Sequence, residues 1–545
     1  MSKILITSAL PYVNGIPHLG HLAGCFLPSD AYARYNRLVG NEVLFIGGTD
    51  EHGTPSELGA IKENMDVYDY VTKYYELHKK IYEHFGISFD YFGRTSSPNC
   101  TELTQRIARE CNSNGYIEER EVEQMYSVDE GRFLADRYII GTCPYCGADN
   151  ARGDQCEACT KVLEPKQLLN PRSAITGSVN LEFRKTRHLY LRLPLLAERL
   201  REWISGKDWN KLTRGIAFKW LDEGLAERSI TRDLKWGVPV PVDVWPDMAG
   251  KVFYVWFDAP IGYISITRDL LGEGYLDWWQ KPSEVKYVEF MGKDNVPFHT
   301  IFFPAMLMAS GENWKLVDEL KGLSYLNFNG GKFSKSAHRG VFADDAIAEF
   351  PDVDVLRWWI MKNLPETDDS DFTFERLAED VNKDLNDVLG NLALRVCKFY
   401  GSKFGPEVVH AAAKDDLGIA PHIEAYHKYM EAMEFRKAIL ELRAIWVLGN
   451  EYIDAKAPWS LYKTSPEEAG AVLARAMEAI IVSAALALPF IPTFAQRILD
   501  IFGVQVSDLR RLPVVAPGMR LAVPERLFEK IPQERVDELN AKYNK

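Results

Sequence analysis

The opening of the chain limits its fold more than any other stretch. Ile4 to Ala9 is apolar and rich in β-branched residues, a Pro/Gly-rich turn follows, and Leu22 to Leu38 has the spacing of a helix. Glu42 to Gly47 reads as the next buried strand, and helical periodicity resumes from Tyr68 to Phe85. Asp50-Glu51-His52-Gly53 then lies just past the second strand's carboxyl end, where open parallel sheets bind ligands. This strand, helix, strand rhythm predicts an α/β fold with a doubly wound parallel sheet of Rossmann type.

At 545 residues the chain exceeds one hydrophobic core and should hold about three or four units. From about Glu119 the rhythm breaks, and a mixed segment continues to Trp220-Leu221-Asp222. Lys251 to Phe257 and Val285 to Gly292 then read as sheet strands, with Val296 to Met308 as a helix after the second. The sheet is thus expected to be split by an insertion and resumed. Beyond about Asp371, amphipathic patterns such as Leu377 to Tyr400 and Ile423 to Asn450 predict an all-α bundle. The expected division is 1–118 and 226–325 for the two halves of the nucleotide-binding domain and 119–225 for the insertion. A loop and connecting region at 326–385 and a helical domain at 386–545 complete it.

A hydrophobic content of 46% with 26% charged residues is ordinary for a soluble globular protein. The formal charge of −13 argues against a nonspecific nucleic-acid coat, although a local basic path stays open. The longest apolar run, Ala479 to Phe490, is too short to cross a bilayer and ends at Pro489 and Pro492, so a buried helix is expected rather than a membrane span. The first residues lead straight into Pro11 with no cleavage-type tail, which predicts a cytoplasmic protein.

Three constellations carry chemistry. His18 and His21 sit three apart after a Gly/Pro turn, so at a helix start they would share one face beside free backbone N–H groups, and Gly20 lets a ligand approach the backbone. A pair of turn histidines is the other reading of this tetrad. The loop Gly330-Gly331-Lys332-Phe333-Ser334-Lys335-Ser336 offers two lysines that can reach one polyphosphate, or else a solvated surface loop. Cys143-x-x-Cys146 and Cys156-x-x-Cys159 form two hooks nine residues apart, a strong pattern for a closed, structural Zn²⁺ site over a redox pair or incidental thiols.

A His-x-Gly-His near the N-terminus followed much later by Lys-x-Ser-Lys-Ser resembles the two signatures of the class I aminoacyl-tRNA synthetases, in the family's order. Leu10 to Gly15, Phe253 to Tyr263, and Gly292-Lys293-Asp294 with Phe298-His299 look like the methionyl branch. Leu19 and Phe333 depart from the signatures' usual Ile and Met, both conservatively. The resemblance implies ATP-driven activation of L-methionine to methionyl-adenylate and pyrophosphate, then transfer to the terminal ribose of a methionine-specific tRNA, with Mg²⁺ accompanying ATP. It implies His18, His21, Lys332 and Lys335 as catalytic groups. Gly20, Gly292, Asp294, Ser334 and Ser336 would complete the ATP site. Leu10, Tyr12, Asp50, Trp256, Pro260, Tyr263 and His299 would form the methionine pocket, with Asp50 facing the ammonium group.

The zinc segment would shape the insertion near the tRNA acceptor end. Asn391, Arg395 and Trp459 would read the anticodon, Trp459 by stacking, unless it merely packs between helices. The rivals are a synthetase for another apolar amino acid, which would carry a larger editing insertion, and a noncatalytic zinc-containing RNA-binding relative. The chain stops soon after the helical domain, which predicts a monomer without an appended dimerisation domain.

Overall fold

The fold is taken from a computed structural model describing residues 2–544 except 154, 155, 157, 160, 162 and 334–338. Five parallel strands form its centre, in the order Glu319–Leu323, Val285–Gly292, Lys3–Ser8, Glu42–Thr49, Tyr91–Arg94. The first strand pairs with Glu42–Thr49 on one side and Val285–Gly292 on the other, so the strand order reverses beside it. At such a switch point the carboxyl ends of two neighbouring strands open into a crevice.

Strand side chains alternate between faces, and both faces are buried. Ile4, Ile6, Phe45 and Phe290 join one core with Trp358, Trp359 and the C-terminal helices, while Leu5, Leu44, Tyr287 and Met291 join a second with Phe303 and Trp279. The C-terminal region is helical, and its helix Pro466–Ala487 is long and apolar enough to span a membrane, yet 83% of its apolar window is buried inside the protein. Arg357 pins the helices to the sheet layer: its guanidinium donates to Asp30 at 2.6 Å and to the carbonyls of Phe85 and Phe490 at 2.9 and 2.8 Å.

Along the chain between strands Tyr91–Arg94 and Val285–Gly292, Ile117–Ser127 pairs antiparallel with Leu181–Leu191 in a long ribbon. A small sheet of Ala151–Arg152, Ile139–Thr142 and Leu169–Ser173 carries the cysteine hooks.

The structure differs from expectation in three places. The run Lys251 to Phe257 is not one strand: Val252–Phe253 makes a two-residue strand against Thr231–Arg232, and Val255–Asp258 turns into a helix. A continuous apolar run carries no periodicity to separate the two, and the helical turn lets Phe257 stack on Phe253 at 5.1 Å. The stretch Ile423 to Asn450 is two helices, Ala420–Glu431 and Phe435–Lys456, broken at Met433, whose φ is 55°. No Gly or Pro marks that break; Glu366 accepts from the Phe435 N–H at 2.9 Å and supports the new start. The first helix begins earlier than expected, at Leu19, and passes through a wide π turn at Leu22–Phe26 before continuing to Leu38.

Candidate active site

Two adjoining cavities occupy the switch point. The larger, about 370 Å³, is lined by His18, Gly20, His21, Gly292, Asp294 and Lys332 together with Tyr325 and Phe333. The smaller, about 210 Å³, is lined by all seven residues expected to hold an amino acid, Leu10, Tyr12, Asp50, Trp256, Pro260, Tyr263 and His299, with Asn14 and Asn295. Ala9, Leu10, Pro11, His21 and Asn295 face both, so the two spaces meet in one crevice.

His18 caps the helix that starts at Leu19. Its Nδ1 accepts from the Gly20 N–H at 3.1 Å, and its own N–H donates to Nδ1 of His21 at the same distance. This reciprocal box fixes both rings beside each other, with centroids 3.9 Å apart, at the positive end of a helix. Gly20 is required for more than ligand approach. A Cβ there would stand 2.9 Å from Cε1 and Nδ1 of His18, so any side chain would push the ring out of its cap. Phe333 stacks on the other side of His18 at 4.6 Å and 8°, tying the lysine loop to the histidine turn.

At the base of that loop, Asn329 and Gly330 adopt positive φ and Asp371 accepts from the Gly330 N–H at 2.7 Å, which makes a tight, clamped hairpin. Lys332 is exposed and its Nζ lies 4.8 Å from the Tyr325 ring centre, with Lys293 Nζ at 4.1 Å from the same ring. The Tyr325 hydroxyl donates to Asp294. Ser334, Lys335 and Ser336 lie outside the described residues. Gly292, which lines the larger cavity, has open space where a Cβ would stand.

The smaller cavity is built differently. The Leu10–Asn14 segment runs beside Asp50, with the Asp50 N–H donating to Pro11 O at 2.9 Å and the Val13 N–H to Asp50 O at 3.3 Å. Asp50 is 3% exposed and its Oδ1 has no hydrogen-bond partner among the described residues. Burial, with Asp258 and Glu51 nearby, pushes its carboxyl well above the usual carboxylate range. A cationic ligand group would reverse that shift, so the site is suited to an ammonium ion. Behind it, His52 holds Asp258 at 2.6 Å, and Arg94 and Ser96 donate to Glu51.

The apolar wall is aromatic. Trp256 stacks on Phe298 at 3.5 Å and meets Tyr12 edge-on at 6.1 Å. Burial lowers His299 to about 4, so the ring is neutral. Its Nδ1–H donates to Asn295 O at 2.9 Å, and Nε2 therefore accepts from the Tyr263 hydroxyl at 2.9 Å. The result is a pocket with one buried carboxyl at one end and polarizable rings around a fixed imidazole.

Sequence reasoning missed Asn14, Asn295, Tyr325 and the structural part played by Phe333. Asn295 directly follows Gly292-Lys293-Asp294, and Asn14 sits inside Leu10 to Gly15, so proximity to matched strings was the available signal. Tyr325 sits in no such string.

The four cysteine sulfurs all lie within 4.8 Å of one another, with Cys143 to Cys159 at 3.8 Å and Cys146 to Cys156 at 3.6 Å. Tetrahedral thiolate coordination at about 2.3 Å requires sulfurs about 3.8 Å apart, so the cluster fits a metal ion of that kind. In the helical region, Asn391 and Arg395 share a face of helix Asn391–Phe404, and the Arg395 guanidinium lies 5.0 Å from the Trp459 ring centre. Trp459 also packs edge-on against Phe399 at 5.5 Å, so it is half-buried and half-presented. Ala457, at φ 41°, turns the chain so that Pro458-Trp459 reaches this position.

Comparison with known proteins gives consistent matches. The family model described as class I tRNA synthetases (M) matches residues 4–397, and that of the anticodon-binding domain of methionyl tRNA ligase matches 405–545. A methionine–tRNA ligase of Cereibacter sphaeroides is 50% identical, covering 100% of this chain and 99% of its own length. One from Acaryochloris marina is 47% identical, with 99% of each chain covered. The solved structure of Mycobacterium tuberculosis methionyl-tRNA synthetase in complex with methionyl-adenylate aligns with a TM-score of 0.79 at 25% identity, covering 97% of this chain and 100% of that one.

Proposed function

The chain belongs to the methionyl-tRNA synthetases, class I methionine–tRNA ligases, and on that premise we propose how its residues divide the work. L-Methionine fills the smaller cavity. Its ammonium group pairs with Asp50, and its thioether lies among Tyr12, Trp256, Pro260 and Leu10, with the Tyr263–His299 pair fixed at the wall. ATP fills the larger cavity, its adenosine against Gly20, Gly292 and Asp294. His18 and His21 meet the phosphates at the helix start, and Lys332, Ser334, Lys335 and Ser336 close over them.

The methionine carboxylate attacks the α-phosphorus, the bond to the β-phosphate oxygen breaks, and pyrophosphate leaves. The nucleophile is already an anion, so the protein's contribution is alignment and charge stabilisation rather than proton abstraction. In the second step the terminal ribose hydroxyl of tRNA attacks the acyl carbon and AMP departs. Mg²⁺ arrives with ATP and offsets triphosphate charge. Cys143, Cys146, Cys156 and Cys159 would hold one structural Zn²⁺, which would order the insertion. Asn391, Arg395 and Trp459 read the anticodon. The protein works as a cytoplasmic monomer.

The observation that carries this reading is the merger of a buried, carboxyl-ended aromatic pocket with a helix-start phosphate pocket at one switch point. Incubation with methionine, ATP, Mg²⁺ and pyrophosphatase should leave about one methionyl-adenylate bound per chain, recoverable by rapid gel filtration. Recovery of free AMP and methionine with no bound adenylate would contradict it.

A further inference from the structure

One buried carboxylate ties the inserted region to the residues behind the amino-acid pocket. Glu57 stands in helix Thr54–Lys62, one turn past Asp50-Glu51-His52-Gly53, and is 7% exposed. Its Oε1 accepts from the N–H groups of Lys235 and Trp236 at 3.2 and 3.0 Å, and its Oε2 accepts from the Tyr138 hydroxyl and from Arg132 at 3.3 Å. The four donors come from three segments: the short strand Arg132–Phe133, the turn Asp136–Tyr138 that leads into strand Ile139–Thr142, and the return of the chain at Lys235-Trp236. A carboxylate offers about four acceptor positions, so four donors leave none for a ligand. Glu57 also lines neither cavity, and its work is therefore on position.

The segment it holds bears directly on Asp50. The Trp236 indole N–H donates to the carbonyl of Glu51 at 2.6 Å, and the Trp236 ring meets His52 edge-on at 5.3 Å. His52 in turn holds Asp258 at 2.6 Å. Glu51 follows Asp50 in the chain and Asp258 neighbours it in space, so a shift of Trp236 reaches Asp50 from two sides. None of Glu57, Trp236, His52 and Asp258 lines the larger cavity.

Resting on the ligase reading, we propose that Glu57 is a positioning residue for methionine: it fixes Trp236 against the inserted region, and Trp236 fixes the backbone beside Asp50 and the His52–Asp258 pair. Its removal should weaken methionine binding and spare ATP, because small misplacements of a binding group are costly only where that group acts.

Glu57→Gln tests this, since it keeps the side chain's shape but turns an NH₂ toward one of the two donor pairs. In ATP–pyrophosphate exchange, KM for methionine should rise about tenfold while kcat and KM for ATP stay within about twofold. KM does not depend on how much of a sample is folded, so a merely structural role would lower Tm and apparent kcat and leave KM unchanged. Tyr138→Phe removes a single donor and should raise KM for methionine about threefold, and adding it to Glu57→Gln should change little further. An unchanged KM for methionine in Glu57→Gln, an equal rise in KM for ATP, or effects that multiply in the double variant overturns the assignment. Should Glu57→Gln not fold, Trp236→Phe decides: it keeps a ring and removes the bond to Glu51, so KM for methionine should rise with KM for ATP unmoved, and a wild-type KM for methionine overturns the assignment. Absence of exchange in the wild-type protein would instead strike the ligase reading.

Discussion

The smaller and the larger cavity share Ala9, Leu10, Pro11, His21 and Asn295, yet they are built in opposite ways. The first is a buried socket: Asp50, Tyr263 and His299 are 2 to 5% exposed, each ring is fixed by a neighbour, and Oδ1 of Asp50 has no hydrogen-bond partner among the described residues. The second is half open, with Lys332 exposed on a hairpin and Phe333 laid against His18. On the proposed reading, the socket selects by shape and the Asp50 carboxyl, and the larger cavity offers lysine point charges rather than a rigid fork.

The contrast can be broken from either side. Lys335→Ala should cost the most, about 3 to 4 kcal/mol in kcat for pyrophosphate exchange with little change in methionine affinity or thermal stability. A variant that lost methionine affinity instead would mean the loop belongs to the socket. Asp50→Asn keeps the shape and removes the charge, so methionine affinity by calorimetry should drop by about 2 kcal/mol or more while ATP binding is spared. Undiminished methionine binding would remove Asp50 from its place.

Trp459→Ala lies far along the chain from both cavities and sharpens the comparison by leaving each alone. Exchange should be unchanged, and tRNA charging should fall by about 1 to 3 kcal/mol in kcat/KM. Parallel loss of both activities would assign Trp459 to helix packing against Phe399.

The smallest effect concerns stability. Behind the socket, Glu289 is fully buried, accepts from Tyr287 and Thr7, and is pushed up from 4.5 to about 8 by burial. The folded chain therefore keeps a proton that the unfolded chain has released, and stability should fall as pH rises from about 4.5 to about 8. His299, lowered from 6.5 to about 4, contributes with the opposite sign between those values, since only the unfolded chain protonates there. Asp50, also raised by burial, adds to the decline with the same sign, so Glu289→Gln should reduce but not abolish the fall of Tm between about 6.5 and 8, above the range of His299. An unchanged slope in that variant would remove Glu289 as its source.

Much of this was legible in the residues. The strand, helix, strand rhythm from Ile4 to Phe85 predicts a parallel sheet, Val285 to Gly292 reads as one of its strands, and the cysteine spacing predicts a four-sulfur cluster. The helix at Val255–Asp258 was not legible, because an unbroken apolar run has no period and the turn is decided by distant partners, Phe298 against Trp256 and His52 against Asp258. Gly20 was legible as a glycine but not for its full reason, since the clash with His18 exists only once that ring caps the helix. Tyr325 enters the site where segments far apart in sequence converge, and no local pattern announces it.

The central claim is that the two cavities act as one site specific for methionine. Exchange of labelled pyrophosphate into ATP by the purified protein, measured with methionine, leucine, isoleucine or no amino acid, tests it most directly. The account predicts strong exchange with methionine and none above background with the others. Exchange driven equally by leucine or isoleucine, or independent of any amino acid, would contradict it.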